Sequence, residues 1–335
     1  MPNYSNLPSM RSVLIILFSQ IFVSCSSSQL KDFLDNNMTM SSNSELFQDL
    51  IPTPHQFDKH KGQMGRICVI GGSLQYTGAA YYAAMSSLLA GADLVYMVCC
   101  EGAVPILKTY SPELIVLPHY LDQTDSVQHI MPWMSRMHAV LIGPGLGTDS
   151  LVQRNVISII ENLKSSNLTI PLLLDADGLK ILAETPTLLK DYQGPVYLTP
   201  NKREYSLLFP GEKRDIQKTD TAQIGPKVTM IVKGPEDIIV NNQTMLTCKE
   251  ENSWRRCGGQ GDLVAGTLAT MSHYATLKSG SGPVNTPWEL RAGLAACSVV
   301  RRSNRLAYQL KGRSMLATDM IHQLHTAFKQ MIPNW

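Results

Sequence analysis

The sequence has little charge, and the charge it has is nearly balanced. Only 17% of its 335 residues are Asp, Glu, Lys or Arg, and 29 basic against 27 acidic residues leave a net charge of +2. No Lys/Arg-rich run is present that would neutralise a row of phosphates, which argues against nucleic acid as a main partner. The cysteines lack a pattern. Cys25, Cys68, Cys99, Cys100, Cys248, Cys257 and Cys297 show neither C-x-x-C spacing nor a His-rich neighbour, so neither a disulfide framework nor a structural zinc site is expected, and a reducing compartment is. Long apolar runs are also missing. The one strongly apolar stretch, Val13 to Val23, has 11 residues and is too short to cross a bilayer as a helix. With Arg11 before it and Ser24 to Ser28 after it, it reads as a targeting segment. A secretory-type leader, an organelle presequence and a start at Met38 or Met40 all remain open, and the expected location is mitochondrion or cytoplasm. What is present is 44% apolar residues, enough for one large domain with a sizeable core.

The chain divides into a targeting segment (1–28), a Ser/Asn/Asp-rich linker (29–50) and a domain (51–335). In the domain, short β-branched or Leu-rich runs alternate with helical patterns. Ile67 to Ile70 precedes a helix over Gly78 to Ala90, Ala139 to Ile142 one over Ser150 to Leu163, and Val196 to Thr199 one over Lys202 to Leu208. Further strands are expected at Leu94 to Cys99, Leu114 to Leu117, Leu172 to Leu174 and Val228 to Val232. This βα repeat predicts an α/β fold of three layers, α/β/α, around a mostly parallel sheet. Ile238 to Val240 and Met245 to Cys248 read as an edge hairpin, and the pattern after Gly261 is helical to the end.

Ligands of open parallel sheets bind beyond the carboxyl ends of the strands, so the strand-to-helix junctions carry the chemistry. Five stand out. Ile70-Gly71-Gly72-Ser73 leads to Tyr76-Thr77-Gly78-Ala79, where backbone N–H groups can meet an anion. Ile142-Gly143-Pro144-Gly145-Leu146-Gly147 lets the backbone approach a ligand, though a plain turn uses the same residues. Asp175-Ala176-Asp177-Gly178 puts two carboxylates at a strand end; Asp175 is expected to face nucleotide phosphates or their metal, and Asp177 serves equally as a helix cap. In Thr199-Pro200-Asn201-Lys202-Arg203-Glu204, Asn201 and Glu204 share a face that can organise Mg²⁺ through water, or form a capping box. The most specific junction is Cys257-Gly258-Gly259-Gln260-Gly261-Asp262. Its successive N–H groups make an anion hole at a positive helix end, beside a carboxylate able to take a proton from a hydroxyl. Lys233, at the end of a strand, can reach phosphates as a point charge.

Taken in order, these motifs resemble the ribokinase-like superfamily, in particular the ATP-dependent NAD(P)H-hydrate dehydratases. The resemblance runs from about Lys59 to Met331 and includes H-K-G-x-x-G-R-x-x-V-I-G-G-S (His60 to Ser73), Y-T-G-A, G-A-D-L-V (Gly91 to Val95), S-P-E-L-I-V (Ser111 to Val116), G-P-G-L-G, D-A-D-G-L, T-P-N-x-x-E, K-G-x-x-D, G-G-Q-G-D and G-R-S-M (Gly312 to Met315). It implies ATP-dependent removal of water from the S epimers of NADHX and NADPHX through a phosphorylated intermediate, with release of ADP and phosphate. It further implies that the hydrate is bound by Gly147, Asn201, Lys202, Arg203, Glu204, Tyr205, Ser206 and Leu207. ATP would be bound by Lys233, Gly234, Pro235, Glu236 and Asp237, together with Asn252, Ser253, Trp254, Arg255, Arg256, Cys257, Gly258, Gly259, Gln260 and Gly261. Asp262 would be the base, next to the Gly259 and Gly261 anion hole, and Mg²⁺ would be held by the ATP phosphates, with Asn201 and Glu204 assisting through water. The partners implied are small molecules, with no nucleic acid and no stable membrane span, and the expected assembly is a homo-oligomer. Ala80, Leu117 and Val264-Ala265 depart from the family pattern, none at a catalytic group. A vitamin or sugar kinase of the same superfamily would use the same anion hole; the long G-G-S to Y-T-G stretch favours the hydrate-repair branch.

Overall fold

The computed structural model describes residues 44–52, 60–211, 215–279 and 285–332; the proposed targeting segment and most of the linker lie outside them. Nine strands form one sheet: β1 (Arg66–Ile70), β2 (Leu94–Val98), β3 (Leu114–Val116), β4 (Ala139–Ile142), β5 (Leu172–Leu174), β6 (Val196–Leu198), β7 (Val228–Val232), β8 (Asp237–Val240) and β9 (Met245–Cys248). Their order is β3-β2-β1-β4-β5-β6-β7-β8-β9. The first seven run parallel, with Val69 opposite Met97 on one side and Leu141 on the other, and β8 and β9 close the edge as an antiparallel hairpin. Strands β4 to β7 are buried throughout, as expected where helices cover both faces of a parallel sheet.

One face is covered by α1 (Thr77–Leu89), α2 (Val104–Tyr110), α8 (Gln260–Lys278), α9 (Trp288–Lys311) and α10 (Ala317–Met331), the other by α3 (Ser126–Met134), α4 (Ser150–Ser165), α5 (Asp177–Glu184), α6 (Lys202–Leu208) and α7 (Lys218–Ile224). The three-layer expectation holds. Helix α8 is small-residued and buried along nearly its whole length, which lets it cross α1 closely: a Cβ added at Gly266 would sit 1.9 Å from the Ala83 carbonyl oxygen. The linker ends earlier than its composition suggested. Phe47 and Leu50 are fully buried in the core under α8 and α9, because a polar-rich stretch with two large apolar residues still docks where those two find a cavity.

Candidate active site

Between β1 and β4 the strand order reverses, since the chain runs β1-β2-β3 to one side and resumes with β4 on the other. The loops leaving the two strands meet there, the Gly72 amide donating to the Pro144 carbonyl at 3.0 Å. The loops after β5, β6 and β7 continue along the same carboxyl edge, and the amino end of α8 comes down onto it. The sequence junctions therefore converge in space.

Lys233 is at the centre. Its ammonium lies 2.7 Å from Asp175 Oδ1, with side chains 18% and 2% exposed. Thr199 Oγ1 donates to the same carboxylate oxygen at 2.7 Å, and the Lys233 amide donates to the Pro200 carbonyl, which ties the end of β7 to β6. Asp175 is thus Lys233's counter-charge instead of a free phosphate or metal ligand. Burial works against the ammonium, but Asp175 and Glu204 outweigh it and raise Lys233 above its ordinary value. A Cβ added at Gly261 would be 3.1 Å from Lys233 Nζ, so this charge reaches the loop opening α8.

Three more carboxylates gather near the Lys233–Asp175 pair. Asp262, on the first turn of α8, is pushed up to about 8 by burial and then by Asp175, with Lys233 opposing. Glu204 is raised by burial, with Asp175 and Asp177 adding to it against Lys233. Asp177 is raised by burial although it accepts the Gly147 amide at 2.9 Å. The chain is held there in a costly conformation: Ala176 has φ 47° and ψ −118°, a backbone state that strains a residue bearing Cβ by about 1–3 kcal/mol. The strain sends Asp175 toward Lys233 and Asp177 toward the Gly147 loop.

The helix end is built for an anion. Gly259 has φ 93°, and a Cβ there would approach Ala317 Cβ at 2.7 Å and the Tyr82 ring at 2.9 Å. At Gly258 a Cβ would meet nothing within 4 Å, so that glycine faces open space. Beside this loop is a cavity of about 560 Å³ whose walls include Gly234, Asn252, Arg256, Gln260, Asn304 and Met320. Two walls depend on residues that the sequence reading missed. Arg301 Nε donates to Asp237 Oδ2 at 2.6 Å, while its Nη groups donate to the carbonyls of Gly234 and Pro235. That clamps the whole loop after Lys233. Asn304 Oδ1 accepts from the Ser253 amide and hydroxyl at 2.7 Å each. Both sit inside the long α9 with no local motif, and only their spacing of three along a buried helix face hints at a shared task.

Several expected contacts fall elsewhere. The Tyr205 ring packs against Phe209 in the core and its hydroxyl donates to Asp220, so its side chain anchors α6 instead of facing a ligand. Ser206 Oγ donates back to the Lys202 carbonyl. Asn201 and Glu204 form the complete capping box, which occupies the Asn201 oxygen that was to orient a metal-bound water. Trp254 is 61% exposed, edge-on to Tyr308 and beneath Arg313, and Glu236 is exposed outside the cavity wall. Among the described residues no cluster of three or more His, Cys, Asp or Glu is placed to hold a metal directly.

Known proteins share this architecture. The family model for NAD(P)H-hydrate dehydratase matches residues 67–326. The ATP-dependent (S)-NAD(P)H-hydrate dehydratase of Homo sapiens is 42% identical over 305 residues, covering 87% of this chain and 85% of its own length. That of Aedes aegypti is 44% identical over 279 residues, covering 82% and 81%. A solved Bacillus subtilis ADP/ATP-dependent NAD(P)H-hydrate dehydratase, co-crystallised with ATP and Mg²⁺, superposes with a TM-score of 0.65 at 20% identity, covering 86% of this chain and 97% of that one.

Proposed function

The chain belongs to the NAD(P)H-hydrate dehydratase family, and from that premise we propose that it is an ATP-dependent lyase that returns the S epimers of NADHX and NADPHX to NADH and NADPH. The observation that carries the reading at the level of residues is Asp262, beside the glycine loop and within the field of Lys233. Asp262 takes the proton of the ring hydroxyl, and the freed oxygen attacks the terminal phosphoryl group of ATP, giving ADP. The N–H groups of the loop opening α8 neutralise charge spreading over the transferred group. Phosphate then leaves with the carbon–oxygen bonding pair, driven by the ring-nitrogen lone pair, and loss of a proton from the neighbouring carbon restores the dihydronicotinamide. Phosphorylation matters because phosphate is a far better leaving group than hydroxide. The Arg301 clamp keeps the Gly234 loop against the nucleotide cavity, and Lys233 reaches the phosphates from beneath.

The residues fit Mg²⁺ carried by the ATP phosphates: Glu204, Asp177 and Asp262 are each raised by burial, and a cation arriving with the nucleotide would favour their charged forms. Glu204 Oε1, the oxygen not used in the capping box, would bind it through water. Bound there, the ion would withdraw charge from the transferring phosphoryl group. Both substrates are intracellular cofactors or nucleotides, which supports action in the mitochondrion or the cytoplasm.

The test follows the hydroxyl oxygen. With hydrate labelled by ¹⁸O at that hydroxyl, the reading expects the label in the released inorganic phosphate, measured by mass spectrometry. Label recovered in water instead would rule out phosphorylation of the hydroxyl.

A further inference from the structure

At the opposite, amino-terminal end of the sheet lies a second cavity, of about 530 Å³, within the size range of small-molecule sites. It is walled by the start of β1, the residues before β4 and β5, and the carboxyl-terminal half of α8. Its polar lining is basic: His60, Arg66, His138 and His273, with Met137, Ile170 and Leu277 supplying an apolar side. Among the described residues no carboxylate lines it. Asp93, a described acid near the cavity, is already engaged, since its Oδ2 accepts from the Gly62 and Met64 amides at 2.7 and 3.1 Å.

Arg66 is held in place but not neutralised. Its Nε donates to the Arg136 carbonyl at 2.6 Å and its Nη2 lies 2.9 Å from His138 Nε2; among the described residues it has no ion-pair partner. The Arg66 amide also points at His138 Nδ1, at 3.3 Å. Both ring nitrogens of His138 therefore face donors, and a neutral imidazole can accept at only one of them. The His138 ring stacks on His273 with centroids 4.5 Å apart, and His273 Nε2 is 3.1 Å from the Gln63 carbonyl. An unpaired guanidinium next to two stacked imidazoles, one with conflicting donors, is a group of charges and dipoles awaiting an anion.

We propose that this cavity is a second binding site, for a phosphate group, held by the Arg66 Nη hydrogens that the bonds to Arg136 and His138 leave free and by the His138–His273 pair. A carboxylate would satisfy Arg66 alone. A phosphate dianion has the charge and the acceptor oxygens to engage Arg66 and draw a proton onto His273 as well, whose Nε2 already donates to the Gln63 carbonyl. Burial, His273 and Arg66 hold His138 down at about 4, and burial and Arg66 hold His273 below its ordinary value, with Asp93 and, for His273, the Gln63 carbonyl pulling the other way. His60 is at the rim, and Tyr274, next to His273, is occupied by the Gly91 carbonyl. Empty, the pair is neutral near pH 7. Binding a dianion raises His273, and an organic phosphate is already largely a dianion above about pH 6, so its complex takes up a proton and tightens as pH falls.

The test uses the full chain and imidazole carbon–proton NMR, with His138 and His273 identified by His138→Gln and His273→Gln. Inorganic phosphate and phenyl phosphate are titrated separately. The expected result is saturable shifts at His138 and His273, with His119 and His129 unmoved, and for phenyl phosphate a Kd about threefold or more tighter near pH 6.5 than near pH 8. Arg66→Gln should weaken it about tenfold. Tighter binding of phenyl phosphate assigns an organic phosphate as the ligand, and equal binding assigns free phosphate. No saturable shift at these residues up to about 20 mM, well beyond any useful affinity, would overturn the proposal, as would an unchanged Kd in Arg66→Gln. If Arg66→Gln does not fold, Arg66→Lys serves, since it keeps the charge and loses the fork; an unchanged Kd there would overturn it equally.

Discussion

The two ends of the sheet carry opposite chemistry on one scaffold. At the carboxyl end, Asp177, Glu204 and Asp262 gather near the Lys233–Asp175 pair and those three acids are raised; at the amino end, an arginine and stacked histidines share a cavity with no acid among the described residues, and the histidines are lowered. Helix α8 spans both, with Asp262 on its first turn and His273 toward its far end. The fold sets this arrangement. Strand ends that point into loops and helix amino termini can hold acids near N–H dipoles, while the other end receives the tail of α8 and the entries of β1, β4 and β5.

The contrast breaks most sharply at Asp262. Asp262→Asn should lower kcat by about 10²–10⁴-fold, with KM for ATP little changed, in steady-state assays. A comparable loss in KM alone would make Asp262 a binding group instead. Next comes the cation. Lys233→Met leaves Asp175 buried and unpaired, which should cost about 3 kcal/mol of stability in urea unfolding, together with nucleotide binding. Unchanged stability would mean that Asp175 is neutral in the fold.

The pH dependence of the two ends should run in opposite directions. Asp262 is raised above its unfolded value of 3.8 to about 8, so between those limits the folded state binds more protons and stability falls as pH rises. His138 is lowered from 6.5 to about 4; below 6.5 the unfolded state binds more protons, and stability is lost as pH falls toward 4. In apo-protein melts, Asp262→Asn should remove a fall in stability between about pH 4 and pH 8, and His138→Gln a loss of stability from about pH 6.5 down to about pH 4. The same Asp262 shift predicts that kcat/KM climbs with pH to a plateau above about 8. The smallest effect is expected at the strained turn: Ala176→Gly relieves φ 47° and should stabilise by about 1 kcal/mol, with kcat reduced if the strain aims Asp177.

Much of the carboxyl end was legible in the sequence, because junction chemistry is local. Strands β4, β5 and β7 and helix α6 fall where their runs placed them, and the Gly258 to Asp262 loop marks itself by composition. What escaped was non-local. Arg301 and Asn304 acquire meaning only when α9 lies under the nucleotide loops, and the His138–His273 stack joins residues 135 positions apart in the chain. Tyr205 misled because it stands inside a binding motif while its side chain turns to the core.

The most direct measurement is the near-ultraviolet dihydronicotinamide absorbance when the full chain is mixed with S-NADHX, Mg²⁺ and ATP, with Asp262→Asn alongside. The account predicts recovery that requires ATP and is lost in the variant. ATP consumed with a phosphorylated product accumulating and no absorbance regained would contradict it.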